Sequence, residues 1–316
     1  MSRPRPWIEA FAPATVSNLG PGFDCLGLAL RSPGDRVRAR RADTPGVTIT
    51  KVEGDGGKLP RSPDANTAGV AVAELLRRFA PDAGIELEVH KGLPLGSGLG
   101  SSGASACAAL VAADAALGLG LQPTQLVDLA RAGERVACGA AHPDNVAPAI
   151  LGGVVLIPQT DPLRLIALPA PHDLWLAVYT PGCAISTAAA RAVLPAQVPL
   201  SAAVQQASRL ALLTHALHCG DLALLGEAIV DDIVEPRRAG LIPGYLEAKA
   251  ACCEAGALAC SISGSGPTTF ALAAARERAE ALLGILEECF TLAGVPGRGL
   301  VDQIGPGARV VSTLLH

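Results

Sequence analysis

Pro94-Leu95-Gly96-Ser97-Gly98-Leu99-Gly100-Ser101-Ser102-Gly103-Ala104-Ser105 is the stretch on which the reading of this chain turns. Before it, Ile85-Glu86-Leu87-Glu88-Val89-His90 alternates apolar and polar side chains, the period of a half-buried strand. After it, residues 104–117 are mostly small and apolar, free of Gly and Pro, and Gly118 is a natural helix stop. Strand, glycine loop and helix start, in that order, aim backbone N–H groups and the positive helix end at an anion. Gly96, Gly98 and Gly100 let main chain approach a phosphate without a Cβ in the way. Ser101 and Ser102 can cap the helix or ligate a magnesium ion on that phosphate.

The two commonest glycine loops fit poorly. A Walker loop needs Lys just after its last Gly, and neither Gly100 nor Gly103 is followed by one. Residues 98–103 match the bare dinucleotide spacing, but that fingerprint also requires a second strand ending in an acidic residue. Here a turn and another helical pattern follow Leu117. The stretch reads as a phosphate loop of a third kind. A tight strand-to-helix turn with nothing bound is the alternative, and it would not need so long a run of Gly and Ser.

At 316 residues the chain exceeds the size at which one core usually stops growing, so two domains are expected. Half of the residues are apolar but only 3% are aromatic, so packing must rest on Ala, Leu and Val. The net charge of −4, without a basic block, argues against nucleic acid as a partner. No uninterrupted apolar run approaches the roughly 18 residues of a membrane span. The N-terminal residues lack the apolar core of a signal peptide, and a cytoplasmic protein is expected. Nine scattered cysteines without a Cys-x-x-Cys support neither zinc nor a disulfide framework; they read as small core residues in a reducing compartment.

Elsewhere the pattern predicts strands over 7–13, 37–41 and 47–52 and helices over 66–79, 124–137 and 186–193, with Asn66 near a helix start. Residues 12–27 read as a turn-rich loop in which Asn18 and Asp24 stand among glycines. Glu134 falls near the end of its helix, where a carboxylate opposes the helix dipole, a hint of a cation nearby. Thr187 and Arg191 are four apart on one helical face. Prolines cluster over 158–171, read as an inter-domain connection, before a fresh buried strand at 174–179. Helices are predicted over 201–218, 223–229, 245–254 and 274–292, strands over 257–263 and 268–272, and loop and strand over 303–315. A second Gly/Ser loop, Ser263-Gly264-Ser265-Gly266-Pro267, lies between those two strands.

Three segments in order, 12–27, 94–104 and 262–272, resemble the signatures of the GHMP kinases, and the resemblance covers nearly the whole chain. It implies an α+β fold of two domains, with residues 1–165 like the second domain of ribosomal protein S5 and residues 166–316 ferredoxin-like. Residues 17–24, His142-Pro143-Asp144-Asn145 and Glu235-Pro236-Arg237-Arg238 resemble most the members that phosphorylate an amino acid. The implied reaction moves the γ-phosphoryl of ATP to the side-chain hydroxyl of L-homoserine, toward threonine, with Mg2+ as cofactor. Carried over by position, the resemblance gives the carboxylate to Arg191 and Arg238 and the ammonium to Asp24 with Asn18. The hydroxyl end goes to His142, Asn145 and Thr187, and Mg2+ to Ser102 and Glu134. The 94–104 loop would hold ATP, with Asn66 and Lys91 along the nucleotide.

One departure bears on mechanism. Relatives acting on sugars or mevalonate use an Asp as base, and the corresponding place is held here by Asn145. That suggests catalysis by alignment and charge stabilisation. The alternatives are a kinase of mevalonate or shikimate, or an inactive binding protein of the same fold. An apolar helix face in the second domain is compatible with a homodimer.

Overall fold

The computed structural model describes residues 5–138 and 142–314; residues 1–4, 139–141 and 315–316, including the N-terminal stretch and the end of the last predicted strand, lie outside the description. The first half of the chain runs β1 (Trp7–Ser17), β2 (Leu26–Ala42), β3 (Gly46–Glu53), α1 (Thr67–Phe79), β4 (Gly84–His90), α2 (Ser101–Leu117), α3 (Pro123–Cys138), α4 (Val146–Leu151), β5 (Val154–Thr160) and β6 (Leu163–Leu168). It continues through β7 (Trp175–Thr180), α5 (Thr187–Ala192), α6 (Leu200–Cys219), α7 (Leu222–Ala228), α8 (Glu235–Arg238), α9 (Tyr245–Glu254), β8 (Ala259–Ile262), β9 (Thr269–Ala273), α10 (Arg276–Leu292), β10 (Arg298–Gln303) and β11 (Arg309–Leu314).

The first sheet has the order β11-β1-β2-β4-β3, and β5 pairs the start of the long β2 and carries β6 on its other edge. Along β2, Val37 and Ala39 are buried while Arg38 and Arg40 reach the other face, the alternation of a sheet with one covered side. On the open side Glu9 accepts from Arg36 at 2.9 Å and from Arg38 at 2.6 Å across the strands. The covered side meets α2, a helix apolar or small nearly all round and therefore buried between the sheet and α1 and α3. Arg41 of β2 closes the C-terminal end of α2, donating to the carbonyls of Ala116 and Leu117 at 3.1 and 2.7 Å.

The second half forms β7, helices, β8, β9, α10 and β10, with an antiparallel sheet in the order β10-β7-β9-β8. That β-α-β-β-α-β connectivity with the first strand central is the ferredoxin-like arrangement. Its core holds Tyr179 and Phe290, stacked with centroids 5.3 Å apart, and the fully buried Tyr245, while Phe270 of β9 packs into the other core.

Several sequence expectations needed correction. Residues 158–171 contain β6, a hairpin partner of β5 turned at Asp161-Pro162, where a bare connection was expected. It is a short, half-exposed strand flanked by Pro162 and Pro169, so the prolines around it dominate the pattern. The division expected at 165/166 lies inside β6, and β11 returns the chain end to the first sheet beside β1. The strand β10 went unread because Arg298–Gln303 is an exposed edge with few apolar residues. The turn-rich reading of 12–27 holds only for the middle, since β1 runs to Ser17 and β2 begins at Leu26.

Leu110 in α2 is fully buried at the centre of the first core. Replacing it with Ala is expected to cost about 2–5 kcal/mol. Urea unfolding should show this as a lower midpoint with an unchanged slope.

Candidate active site

A cleft of about 420 Å³ is lined by residues of both halves of the chain, those of the second half coming from loops and short helices rather than from its sheet. At one end lies the phosphate loop. Gly96, Gly98 and Gly100 have φ of +65°, +84° and +65°, the left-handed region that favours glycine. A Cβ on Gly100 would also overlap the Thr15 hydroxyl. The helix begins at Ser101, three residues earlier than the sequence pattern predicts, and Gly100 supplies no side-chain cap. The N–H groups of the first turn of α2 are therefore left to face an anion.

The carbonyl side of the loop is spoken for. Ser97 O accepts from Thr268 N at 3.1 Å and Thr268 Oγ1 at 2.6 Å. Gly98 O accepts from Ser263 Oγ at 2.7 Å, and Leu99 O accepts from Thr15 N at 3.1 Å. With the carbonyls tied to protein, the amide edge is what remains for a ligand. Leu95, Gly96, Ser97, Gly98, Gly100, Ser101 and Ser102 line the cleft, whereas Pro94, Leu99, Gly103 and Ala104 do not, and Leu99 and Ala104 are core residues.

Two expected nucleotide residues have structural places. Asn66 is the N-cap of α1, accepting from Ala68 N at 3.1 Å and donating to Pro60 O at 2.9 Å, while one edge of it reaches the cleft. Lys91 lies beneath the loop with its side chain 1% exposed. Its ammonium pairs with the buried Asp35 and donates to Ser101 O at 2.7 Å and Ser105 Oγ at 2.9 Å. Asp35 also accepts from Gly92 N, Leu93 N and Ser105 Oγ. Lys91 thus braces the loop from the cleft wall, and its three protons are spent on protein.

Beside the loop, Glu134 is buried and hydrogen-bonded to the Ser102 side chain. Burial pushes its carboxyl up to about 7, helped by the charge of Asp144 and opposed by Ser102 and Lys91. Two hard oxygen donors next to a phosphate loop form a donor set suited to Mg2+, which is commonly held by one or two protein oxygens plus phosphates.

The opposite end is built on the connection from Ser17 to Cys25. Asn18 and Asp24 have φ of +75° and +58°, conformations that cost a non-glycine residue on the order of 1 kcal/mol each. They are held by the Asp24 N–H donating to Asn18 Oδ1 at 3.1 Å and by Asn18 Nδ2 donating to Gly264 O at 3.0 Å. Arg191 donates to both oxygens of Asp24, at 2.8 and 3.1 Å, and His142 Nδ1 stands 3.4 Å from Asp24 Oδ2. Arg238 is buried and donates Nε to Ala190 O at 3.1 Å and Nη1 to Gly264 O at 2.6 Å, both carbonyls rather than carboxylates. Both guanidiniums lie over the ring of Phe23, at 5.5 and 5.2 Å from its centroid. Burial and the charge of Arg191 make Arg238 a cation in want of an anion.

Between the two ends sits Asn145. It accepts from Thr15 Oγ1 at 2.8 Å and donates to Ser17 Oγ at 3.3 Å and Asp144 Oδ2 at 3.5 Å. Asp144 is buried, and its carboxyl is raised by that burial and by Asp24, against a hydrogen bond from Ser17. Thr187 lines the cleft at the start of α5, whose N-cap is Ser186. His142 lines the cleft together with Asn145 and reaches Asp24.

Thr15, Ser17, Phe23 and Asp35 are not among the site residues read from the sequence, whereas Asp144 and the Ser263–Thr268 loop are read there as site candidates without an assigned role. Asp144 had a signal, its place in a His-Pro-Asp-Asn turn; Thr15 and Asp35 sit in ordinary strand sequence and carried none.

With this geometry in view, residues 66–153 match the family model of the GHMP kinases N terminal domain, and residues 211–291 that of the GHMP kinases C terminal. The chain is 45% identical over 296 residues to a homoserine kinase of Chlorobium phaeobacteroides, covering 90% of this chain and 92% of that one. It is 44% identical over 320 residues to one of Chlorobaculum tepidum, covering 97% and 98%. The crystal structure of homoserine kinase from Cytophaga hutchinsonii superposes with a TM-score of 0.93 at 42% identity, covering 96% of this chain and 97% of that one. The chain belongs to the GHMP kinase family and, within it, to the homoserine kinases.

Glu134 links site and stability. Its carboxyl is raised from 4.5 to about 7 in the fold, so its charged form is disfavoured there. Its contribution is most favourable below about pH 4.5 and is lost as pH rises through 7, amounting to roughly 3 kcal/mol. In ligand-free protein, Glu134→Gln should therefore melt above the wild type at pH 8, the gap closing toward pH 5, while Mg-ATP-dependent turnover is lost. Thermal scans at both pH values check this.

Proposed function

We infer that the chain transfers the γ-phosphoryl group of ATP to the side-chain hydroxyl of L-homoserine, giving O-phospho-L-homoserine, a step toward threonine. The observation that carries this is the pairing of unlike ends in one cleft: a glycine-rich loop and helix start at one side, and Asp24, Arg191 and Arg238 at the other. A zwitterion offers an ammonium for Asp24 and a carboxylate for the guanidiniums, which match it in a planar, two-pronged fashion. Mevalonate and shikimate carry no ammonium, so Asp24, already paired with Arg191, would gain no partner from them. An inactive descendant would be expected to have lost the loop or the Ser102–Glu134 pair, and both are intact.

In the proposed mechanism the loop amides and the α2 N-terminus bind the phosphates, and Asn66 lies along the nucleotide. Ser102 and Glu134 are the residues that would hold Mg2+, which when bound would supply charge neutralisation for the phosphates. Arg191, Arg238, Asp24 and Asn18 orient the amino acid so that its hydroxyl lies near Asn145. Thr187 bounds the same end, and His142 holds Asp24. Asn145 is a neutral amide fixed by Thr15 and Ser17, so it aligns the hydroxyl and cannot take its proton. A loose transition state leaves little for a base to do early, and the proton leaves late, to phosphate.

Asp144 is the competing candidate for a base, because it is buried beside Asn145 in the cleft. Asp144→Asn is expected to lower kcat by less than about 100-fold and to weaken homoserine binding, less than the range typical of a lost general base. A fall near 10⁴-fold with homoserine affinity intact would make Asp144 the base. Across L-homoserine, L-serine, L-threonine, mevalonate and shikimate, a coupled ATP assay should give homoserine a kcat/KM about 100-fold above the rest. Clear preference for mevalonate or shikimate would sink the assignment.

A further inference from the structure

The arginine assigned to the substrate carboxylate stands at the end of α8, a single helical turn. One turn is too short to persist on its own hydrogen bonds. Asp231 holds its start, accepting from the N–H groups of Ile233, Val234 and Glu235 at 2.9, 2.8 and 3.0 Å. Gln206 Nε2 in turn donates to Asp231 at 3.0 Å. Between that anchor and Arg238 lies Glu235, buried and outside the cleft lining. One of its oxygens pairs with Lys249 of α9, and the other accepts from Ser261 Oγ of β8 at 2.7 Å.

A buried carboxylate is a poor way to gain stability, since apolar groups of the same shape hold a turn as well. What it adds is direction. Two oxygens, bonded to two different elements, fix the rotation of α8 about its own axis. Three residues on, that rotation determines where the Arg238 guanidinium meets Gly264 O and the Phe23 ring. Ser261 and Gly264 belong to the same strand-and-loop segment, so the turn is stapled to one support at both ends.

We propose that Glu235 is a positioning residue for the substrate carboxylate, acting through α8 to fix the aim of Arg238; this rests on the homoserine reading above. Glu235 touches no substrate, and its effect belongs in homoserine KM, not in nucleotide binding.

Steady-state kinetics on Glu235→Ala, Arg238→Met and the double variant test this. Glu235→Ala should raise homoserine KM about tenfold with ATP KM within about twofold of wild type. Added to Arg238→Met it should cost little more, because the group it aims is gone. Glu235→Gln, which keeps two hydrogen-bonding atoms, should restore part of the loss. Equal damage to ATP and homoserine KM, or additive losses in the double variant, overturns the proposal. If Glu235→Ala does not fold, Lys249→Met and Ser261→Ala each remove one staple and enter the same cycle. Wild-type turnover of homoserine is the separate check: its absence refutes the substrate reading, whereas its presence without the KM split refutes only the role of Glu235.

Discussion

The three carbonyls of Ser97, Gly98 and Leu99 are the hinge of this structure. Each points into protein and is met there by a donor: Thr268 and Ser263 from the ferredoxin-like half, Thr15 from the first sheet. A peptide has two polar sides, and fixing the acceptor side fixes the donor side. The glycines alone would leave the loop free to sample many conformations; these bonds select the one in which its amides meet the cleft. The second Gly/Ser loop is therefore part of the phosphate site although it lies far away in sequence. The same dipeptide, Ser263-Gly264, also serves the amino-acid end, where Gly264 O accepts from both Asn18 and Arg238.

Charge is distributed so that each end of the cleft lacks what its ligand brings. Beneath the loop, the Lys91–Asp35 pair is closed upon itself, a neutral brace with no donor left over. Beside the loop, Glu134 is held at a cost in an interior that raises its carboxyl to about 7. At the far end Asp24 and Arg191 satisfy each other, and Arg238 makes do with carbonyls. Buried charges of this kind weaken the fold and are kept where a ligand completes them. Stability comes from elsewhere, chiefly the small-residue packing of α2 against the first sheet and the Tyr179–Phe290 core of the second.

The phosphate loop, its strand and its helix were legible because glycine spacing, alternation and a helix stop are local signals. Tyr245–Glu254 matched its prediction to the residue, and α1 and α10 nearly so. The edge strands β6 and β10 were not legible, since a strand paired on one side and exposed on the other shows little apolar pattern. Residue type told that Asn66 suits a cap and that Glu134 is oddly placed for a helix end. It could not tell that Lys91 is spent on Asp35, because the partners are 56 positions apart and meet only by the β2–β4 pairing.

By itself the sequence determined the chemistry available: a glycine-rich helix start, two arginines, an aspartate in a glycine-rich turn, and the family to which these belong. Only the tertiary structure decided which of them share a cleft and which way each faces. It turned His142 toward Asp24, paired Lys91 with Asp35, met Asn145 with Thr15 and Ser17 and set Glu235 behind Arg238. The physical reason is range. Turns, caps and periodicity are written over a few residues, whereas hydrogen-bond partners and burial depend on which distant strands lie side by side.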